Sequence, residues 1–376
     1  MNKPWVKEEI FFKADTFFSH LEKNLLEAET SIELETYIFD NDELGQRIAD
    51  LLKTAARRNL RVKVMVDGFG SPHWAEHFLQ DLTKAGVHAR IYHPMPLSAL
   101  SPYFQKHPSL ANFFKRISTM NERNHRKVCI IDRNKAWIGG MNISALHSDW
   151  RDTGVFVQGD QVHNLLHAFR QAWQKAWSRR HVLYSPKRWR KFRRWVSLSV
   201  VRLNSNFNTR RTGYHDLLNR ISTAKYRVWV TNAYFVPPRR LIHALRTASR
   251  NGVDVRVLVP KKSDIFFIHW VSSALYYGLL KSGVKIFEYL PTPLHAKTLL
   301  IDEWATIGTT NFNHRSILHD LEVDIVLTAP QSLNALAHQF EEDLQSSQEI
   351  SLLDWAQRSW TERLAGQILL PFRHWL

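Results

Sequence analysis

The chain has 376 residues, 44% apolar and 12% aromatic, which suffices for about two domains with buried cores and excludes wholesale disorder. Lys and Arg number 51 against 35 Asp and Glu, and the formal charge of +16 selects anionic partners: nucleic acid, anionic lipid or phosphorylated substrates. Cys129 is the only cysteine, which excludes an intramolecular disulfide and a cysteine-rich zinc site and fits a reducing compartment.

At the start, Lys7, Glu8 and Glu9 stand where a secretory leader would carry an apolar run. No uncharged apolar stretch reaches the roughly 20 residues that span a bilayer. The expectation is a cytoplasmic protein, at most peripheral to a membrane. Ser31 to Phe39 reads as a strand, with Ile32, Leu34 and Thr36 alternating against Glu33 and Glu35. A helix with Leu44, Ile48, Leu51, Leu52 and Ala55 on one face follows, then a strand through Val62, Val64 and Val66. Arg90 to Phe114 is rich in Pro, His and aromatic residues and reads as an insertion ahead of the first motif. That motif, HRKVCIIDRNKAWIGGMN, contains His125, Lys127, Asp132, Gly139, Gly140 and Asn142.

From Arg179 to Arg211 there are 11 Lys and Arg residues and no acid. Pro186 suits a first helical position, and on a helix Trp189, Phe192 and Val196 share one stripe beside Trp195. Arg190, Lys191, Arg193 and Arg194 fan around that stripe. This pattern reads as an interfacial helix attracted to anionic lipid, with a basic linker and a nucleic-acid patch as its alternatives. Fourteen Trp residues favour the membrane surface and argue against nucleic acid, because indole rings prefer the headgroup region.

The second half repeats the first. Tyr226 to Phe235 is a strand, Arg239 to Arg250 a helix and Val255 to Pro260 a strand, and KAGVHARIY ending at Tyr92 is echoed by KSGVKIFEY ending at Tyr289. Ile265 to Leu280 reads as an apolar helix capped by Asp264, either a core helix or a hydrophobic lip. The second motif, HAKTLLIDEWATIGTTN, contains His295, Lys297, Asp302, Gly308 and Asn311. The C-terminal stretch with Trp360, Leu364, Ile368, Phe372 and Trp375 is expected to pack on the core, with a second membrane contact as its alternative.

Two strand–helix–strand–helix–strand runs predict an α/β protein of two similar lobes, whose sheets contain parallel pairs and are related by a pseudo-twofold axis. In each motif, His and Lys two residues apart at the head of an apolar run should share one face of a strand. One such triplet occurs by chance; two at corresponding places of a repeat point to chemistry. Asp152 lies 27 residues after His125, and Glu322 lies 27 after His295. A carboxylate on one ring nitrogen fixes the tautomer and raises the basicity of the other, so both acids are candidates for orienting the histidines.

The doubled HxKxxxxD motif followed by a Gly-rich turn and Asn resembles the phospholipase D superfamily. Within it, ELETYIFDNDELG, ARRNLRVKVMVDGFGS, HRKVCIIDRNKAWIGGMNIS and GTTNFNHRSILHDLEVD resemble the blocks of bacterial cardiolipin synthases. The similarity runs from about Ser31 to Leu327 and is greatest to the B type, which lacks the N-terminal membrane hairpin of larger enzymes. Thr309 stands where that family usually has Ser, and Asp320 where Asn is common. The resemblance implies two mixed sheets flanked by helices, one active site between the lobes and a covalent phosphohistidine. It also implies His125 as nucleophile and His295 as general acid, then base.

Elementary chemistry gives compatible roles. Displacing an alcohol from a phosphodiester needs a nucleophile, an acid and positive charge around the phosphoryl oxygens. Two histidines supply the first two; Lys127 and Lys297 supply the charge without a metal or cofactor, and Asn142 and Asn311 add neutral donors for the phosphate. Asp132 and Asp302 belong to the motif, with hydrogen-bonding roles expected. The expected layout is an N-terminal lobe at 1–185, a basic segment at 186–211 and a C-terminal lobe at 212–376. The expected reaction transfers a phosphatidyl group between two phosphatidylglycerols at the cytoplasmic face of a bacterial membrane. Phosphatidylethanolamine as one partner, hydrolysis of a phospholipid, and hydrolysis of nucleic acid by the same histidines stay open.

Overall fold

The structure, a computed structural model, describes residues 4–94, 122–176, 199–265 and 267–371. The first lobe runs β1 (Lys7–Phe11), α1 (Ala14–Leu26), β2 (Ser31–Thr36), α2 (Glu43–Arg57), β3 (Arg61–Asp67), α3 (Gln80–Lys84) and β4 (His88–Tyr92). It continues with β5 (Val128–Ile131), β6 (Lys135–Gly139), β7 (Gly154–Gln158) and α4 (Val162–Lys175). The second lobe runs β8 (Val201–Leu203), α5 (Phe207–Thr223), β9 (Arg227–Asn232), α6 (Arg239–Arg250), β10 (Asp254–Pro260), α7 (Ile268–Leu280) and β11 (Lys285–Tyr289). Then come β12 (Lys297–Ile301), β13 (Trp304–Gly308), α8 (His314–Leu318), β14 (Val323–Leu327), α9 (Pro330–Gln345), β15 (Ser347–Ile350), α10 (Leu352–Ala356) and α11 (Trp360–Leu369).

Local sequence explains the repeated unit. Val62, Val64 and Val66 alternate along β3, as Val255, Val257 and Val259 do along β10, and all are buried. α2 begins where the Asp42 side chain accepts from Gly45 N at 2.9 Å, and it buries Leu44, Ile48, Leu52 and Ala55. The sheets read β1-β7-β6-β5-β2-β3-β4 and β15-β11-β10-β9-β12-β13-β14-β8. Taken from the β8 edge, the second order matches the first strand for strand, with β15 added at the far edge. Strands β2, β3 and β4 are mutually parallel, as are β9, β10 and β11, and the remaining pairs are antiparallel. The duplication therefore includes β1–α1 and β8–α5, which show no repeat in sequence.

Three apolar layers result. Outer cores lie under α1 and α2 in the first lobe and under α5, α6 and α7 in the second. Between the sheets, Val128, Ile130, Ile138, Val155 and Val157 pack in one cluster with Ala296, Leu300, Ile307, Val323 and Ile325. The lobes are thus halves of one three-layered core.

Several expectations change. The strands begin at Val128 and Lys297, so each His lies ahead of its strand; the residues around it hydrogen-bond to the opposite lobe instead. Asp264 does not cap α7, whose N-cap is Phe267, because its carboxylate accepts from Tyr234 Oη at 2.6 Å. α7 is a core helix with Ile268, Val271, Tyr276 and Leu279 buried. α11 covers it but buries only Gly366, a Cβ there falling 2.4 Å from Trp270 O; Trp360, Leu364 and Ile368 remain 68%, 50% and 59% exposed. Within the basic segment, Val201–Leu203 joins the second sheet and α5 begins at Phe207. Its candidate membrane residues Trp189 to Trp195 lie outside the described residues, as do Phe372, Trp375 and most of Arg90 to Phe114.

Because one core serves both lobes, Ile307→Ala, which empties a fully buried site facing the first lobe, should cost about 2–5 kcal/mol. Calorimetric unfolding should show a single transition moved to lower temperature. Separate transitions for the two lobes would contradict the shared core.

Candidate active site

Both histidines sit where the lobes exchange backbone hydrogen bonds. His125 N donates to Leu321 O at 3.1 Å and Leu321 N to Arg123 O at 2.8 Å. In the pseudo-equivalent crossing, His295 N donates to Arg151 O at 2.8 Å and Arg151 N to Pro293 O at 3.0 Å. Each crossing holds a histidine beside the residue preceding an acid of the other lobe. His125 Nδ1 lies 3.0 and 3.1 Å from the two Glu322 carboxylate oxygens, and His295 Nδ1 lies 2.8 Å from Asp152 Oδ2. The equal offsets in sequence invite a pairing within each half; the structure exchanges the partners. With Nδ1–H committed to a carboxylate, each Nε2 is left for chemistry.

The lysines complete a compact cationic centre. Lys127 Nζ donates to the His125 carbonyl at 2.9 Å, and Lys297 Nζ donates to the His295 carbonyl. Burial, with the second lysine adding to it, lowers Lys127 to about 7, and burial lowers Lys297 to about 8. Burial and the neighbouring lysines also hold both imidazoles below their ordinary value, which favours neutral histidines.

The two acids differ. Burial works against charge on Asp152, but His295 and Lys297 outweigh it and bring the carboxyl below its usual range. Burial raises Glu322 to about 7. Their supports differ as well. Gly140 makes room for Asp152, since a Cβ there would stand 2.1 Å from its Oδ1, and Thr153 N donates to that oxygen at 2.7 Å. The corresponding Thr309 instead donates its hydroxyl to Glu322 and accepts from Val323 N at 3.0 Å.

Asn142 and Asn311 follow these turns; both are buried, and each side-chain oxygen lacks a protein partner among the described residues. Asp132 and Asp302 lie at the far ends of β5 and β12. Both adopt positive φ, +50° and +48°, a region Asp tolerates better than most residues. Asp132 accepts from the N–H groups of Glu29, Thr30 and Ser31, and Asp302 from those of Lys225, Tyr226 and Arg227. Burial opposes their charge, yet these donors together pull both carboxyls down.

Aromatic walls of the site were missed in sequence. Tyr37 lies edge-on to His125 with centroids 4.9 Å apart, while Trp150 and Tyr234 flank His295 at 5.6 and 6.1 Å. A signal existed for the tyrosines: each half places a Tyr just past its first motif-side strand, in TYIF and NAYF. Asp320, raised to about 7 by burial, accepts from Arg123 N at 3.0 Å and from Arg315 Nε at 3.2 Å. It ties the first-lobe crossing to α8. Among the described residues no group of three His, Cys, Asp or Glu side chains is placed to hold a metal ion.

Two duplicated lobes sharing one pair of crossed histidines define a phospholipase D-type architecture. The family described as "Cardiolipin synthase, PLD-like domain" matches residues 21–173 and 217–344, and the chain belongs to that family. It is 32% identical over 365 residues to the cardiolipin synthase of Halalkalibacterium halodurans, covering 92% of this chain and 68% of that protein. It is 29% identical to the major cardiolipin synthase of Bacillus subtilis over 353 residues, covering 91% and 69%. Among solved structures, the phosphatidylserine synthase of Haemophilus influenzae shares the fold, with TM-score 0.68 and 12% identity over 97% of this chain and 92% of that one.

The bonding of Asp302 separates folding from chemistry. Asp302→Ala should lower unfolding free energy by about 1–3 kcal/mol through its orphaned N–H groups, while turnover per folded molecule stays near wild type. A large loss of turnover with unchanged melting would assign this residue to the reaction instead.

Proposed function

We propose that the chain is a phosphatidyltransferase that joins two phosphatidylglycerols into cardiolipin and releases glycerol. The observation that carries this reading is the pair of histidines, each Nδ1 held by a carboxylate of the opposite lobe beside two buried lysines. The relatives named cardiolipin synthases support the choice of lipid.

In this reading His125 Nε2 attacks phosphorus, an N–P bond forms as the P–O bond to glycerol breaks, and His295 gives the leaving oxygen its proton. The second lipid's hydroxyl then reverses the pattern, with His295 as base. The ionised Asp152 suits His295 to carry a proton, because it stabilises the imidazolium. Glu322, near 7, stabilises positive charge on His125 less and favours its neutral, attacking form. Lys127 and Lys297 neutralise the phosphoryl oxygens, and Asn142 and Asn311 donate to them. An arriving phosphodiester anion balances the lysines, so binding itself restores charge that burial disfavours. No helix among the described residues is long and apolar enough to cross a membrane. We place the enzyme peripherally at the cytoplasmic face, with the basic segment around Trp189 to Trp195 as its anchor on compositional grounds.

Incubating the protein with phosphatidylglycerol vesicles and a chelator should yield cardiolipin and glycerol. His125→Ala and His295→Ala should each lose on the order of 10² in rate or more. Phosphatidic acid as the only product would make the protein a phospholipase, and no lipid product would refute the reading.

The lysines act as cations, so kcat/KM should fall as pH rises through about 7 to 8, where the substrate-free protein loses their protons. Lys127→Arg, which stays charged, removes the lower of the two titrations and should carry the alkaline limb upward toward that of Lys297. A profile flat from pH 7 to 9 would contradict a cationic role for the pair.

A further inference from the structure

α5 is the counterpart of α1: each follows an edge strand and leads into the first parallel strand of its sheet. The helices treat their sheets differently. α1 buries Phe17, Phe18 and Leu21, with the Phe17 ring against Gly154, and leaves a gap of only about 20 Å³ beside Lys127. Of the 17 residues of α5, only Thr209 and Ile221 are buried. Beneath it opens a cavity of about 70 Å³ that reaches Lys297.

Strand register explains the lining. Leu299 pairs with Thr306, Thr306 with Val326, Gly308 with Asp324, and Asp324 with Arg202. One outer face therefore carries Thr306, Asp324 and Arg202, and α5 sets Arg210, Gly213 and Tyr214 opposite. Gly213 sits mid-helix, where glycine is roughly 1 kcal/mol worse than alanine. A Cβ at this position would meet nothing nearer than Arg202 Nη2 at 4.0 Å, so alanine would fit and glycine keeps space open.

The chemistry of the space is mixed. Arg210 Nε is buried without a partner, while its Nη2 donates to the His319 carbonyl and, at 3.3 Å, to that of Asp320. Asp324, held by Thr310 N at 3.2 Å and Thr310 Oγ1 at 2.7 Å, offers a carboxyl to hydroxyl donors. Arg202, ion-paired to Asp216 at 2.7 Å, and Arg220 both lie over the Trp304 ring, at 5.3 and 4.3 Å, so the wall beside Asp324 is cationic. Guanidinium groups for a phosphodiester and a carboxyl for hydroxyls together match a phosphorylated polyol.

We propose that this cavity is the acceptor subsite: it holds the polyol phosphodiester headgroup of the second lipid and delivers the terminal hydroxyl toward Lys297. The assignment rests on the transferase reading above. In the step it serves, the acceptor oxygen bonds to phosphorus as the N–P bond of the phosphohistidine breaks. The hydroxyl proton passes to the other histidine, and the first leaves neutral. A polyol held here competes with water for the same intermediate.

The test uses Gly213→Leu to fill the cavity and Gly213→Ala as a control that fits. With phosphatidylglycerol vesicles, Gly213→Leu should lower the ratio of cardiolipin to phosphatidic acid at least tenfold at unchanged melting temperature, while Gly213→Ala keeps the wild-type ratio. An unchanged ratio in Gly213→Leu, or equal loss of both products in folded protein, overturns the assignment. Should leucine unfold α5, Thr306→Leu fills the same space from the sheet. If the wild type makes neither product, the transferase reading has failed, and titration with soluble glycerophosphoglycerol judges the cavity alone. Binding lost in Gly213→Leu sustains a polyol phosphodiester site, and equal binding removes it. Glycerol phosphate bound as tightly as the diester would make this a site for a free metabolite and overturn the acceptor role.

Discussion

Each histidine takes its carboxylate from the other lobe, and most of the architecture follows from that exchange. A dyad built within one lobe would form wherever that lobe folded. A crossed dyad exists only when Leu321 lies against Arg123 and His125, and Arg151 against Pro293 and His295, to within a hydrogen bond. Such accuracy needs a rigid joint, and the two sheet faces packed into one core provide it. The backbone crossings then place Glu322 and Asp152 without relying on flexible side chains. Orientation of the reactive nitrogens is therefore a property of the lobe interface.

The same interface concentrates charge in a dry place. Two lysines, His295 and several acids are almost wholly removed from water, and the His125 side chain is only 12% exposed, so their charges are felt strongly and each depends on its neighbours. Burial disfavours protons on the histidines and lysines and favours one on Glu322. The two dyads are thereby unlike despite the repeat. A short acid beside a glycine stays ionised, whereas a longer acid held by a threonine hydroxyl sits near neutrality. Near symmetry in sequence becomes a division of labour in electrostatics.

Much of this could be read from the sequence. Alternating Val in β3 and β10, the two HxK motifs and the recurring acids identify the fold and single out the residues that the structure gathers where the lobes meet. These features are local, or repeat at a fixed offset, and so survive projection onto one dimension. What stayed hidden depends on docking. Spacing cannot reveal that Glu322 serves His125, because the exchange is made by tertiary packing. Asp264 carries a capping signature, yet Tyr234 from another strand claims its carboxylate. Trp360, Leu364 and Ile368 read as core residues, yet α11 leaves them exposed and turns Gly366 and Leu369 inward instead. The correspondence of α1 with α5 is invisible because one helix packs with phenylalanine and the other lines a cavity with arginine and glycine.

The shared inner core has a consequence for the order in which the protein is made. Synthesis delivers the first lobe before β12 to β14 exist, so the faces of Val128, Ile130, Ile138 and Val155 have no cover while the rest of the chain is translated. During that interval His125 has no acid and Lys127 lacks its companion lysine. A nascent or truncated chain therefore lacks the assembled cluster, and its bare sheet makes it a substrate for chaperones and proteases. Competence arrives in one event, when the second half closes over the first.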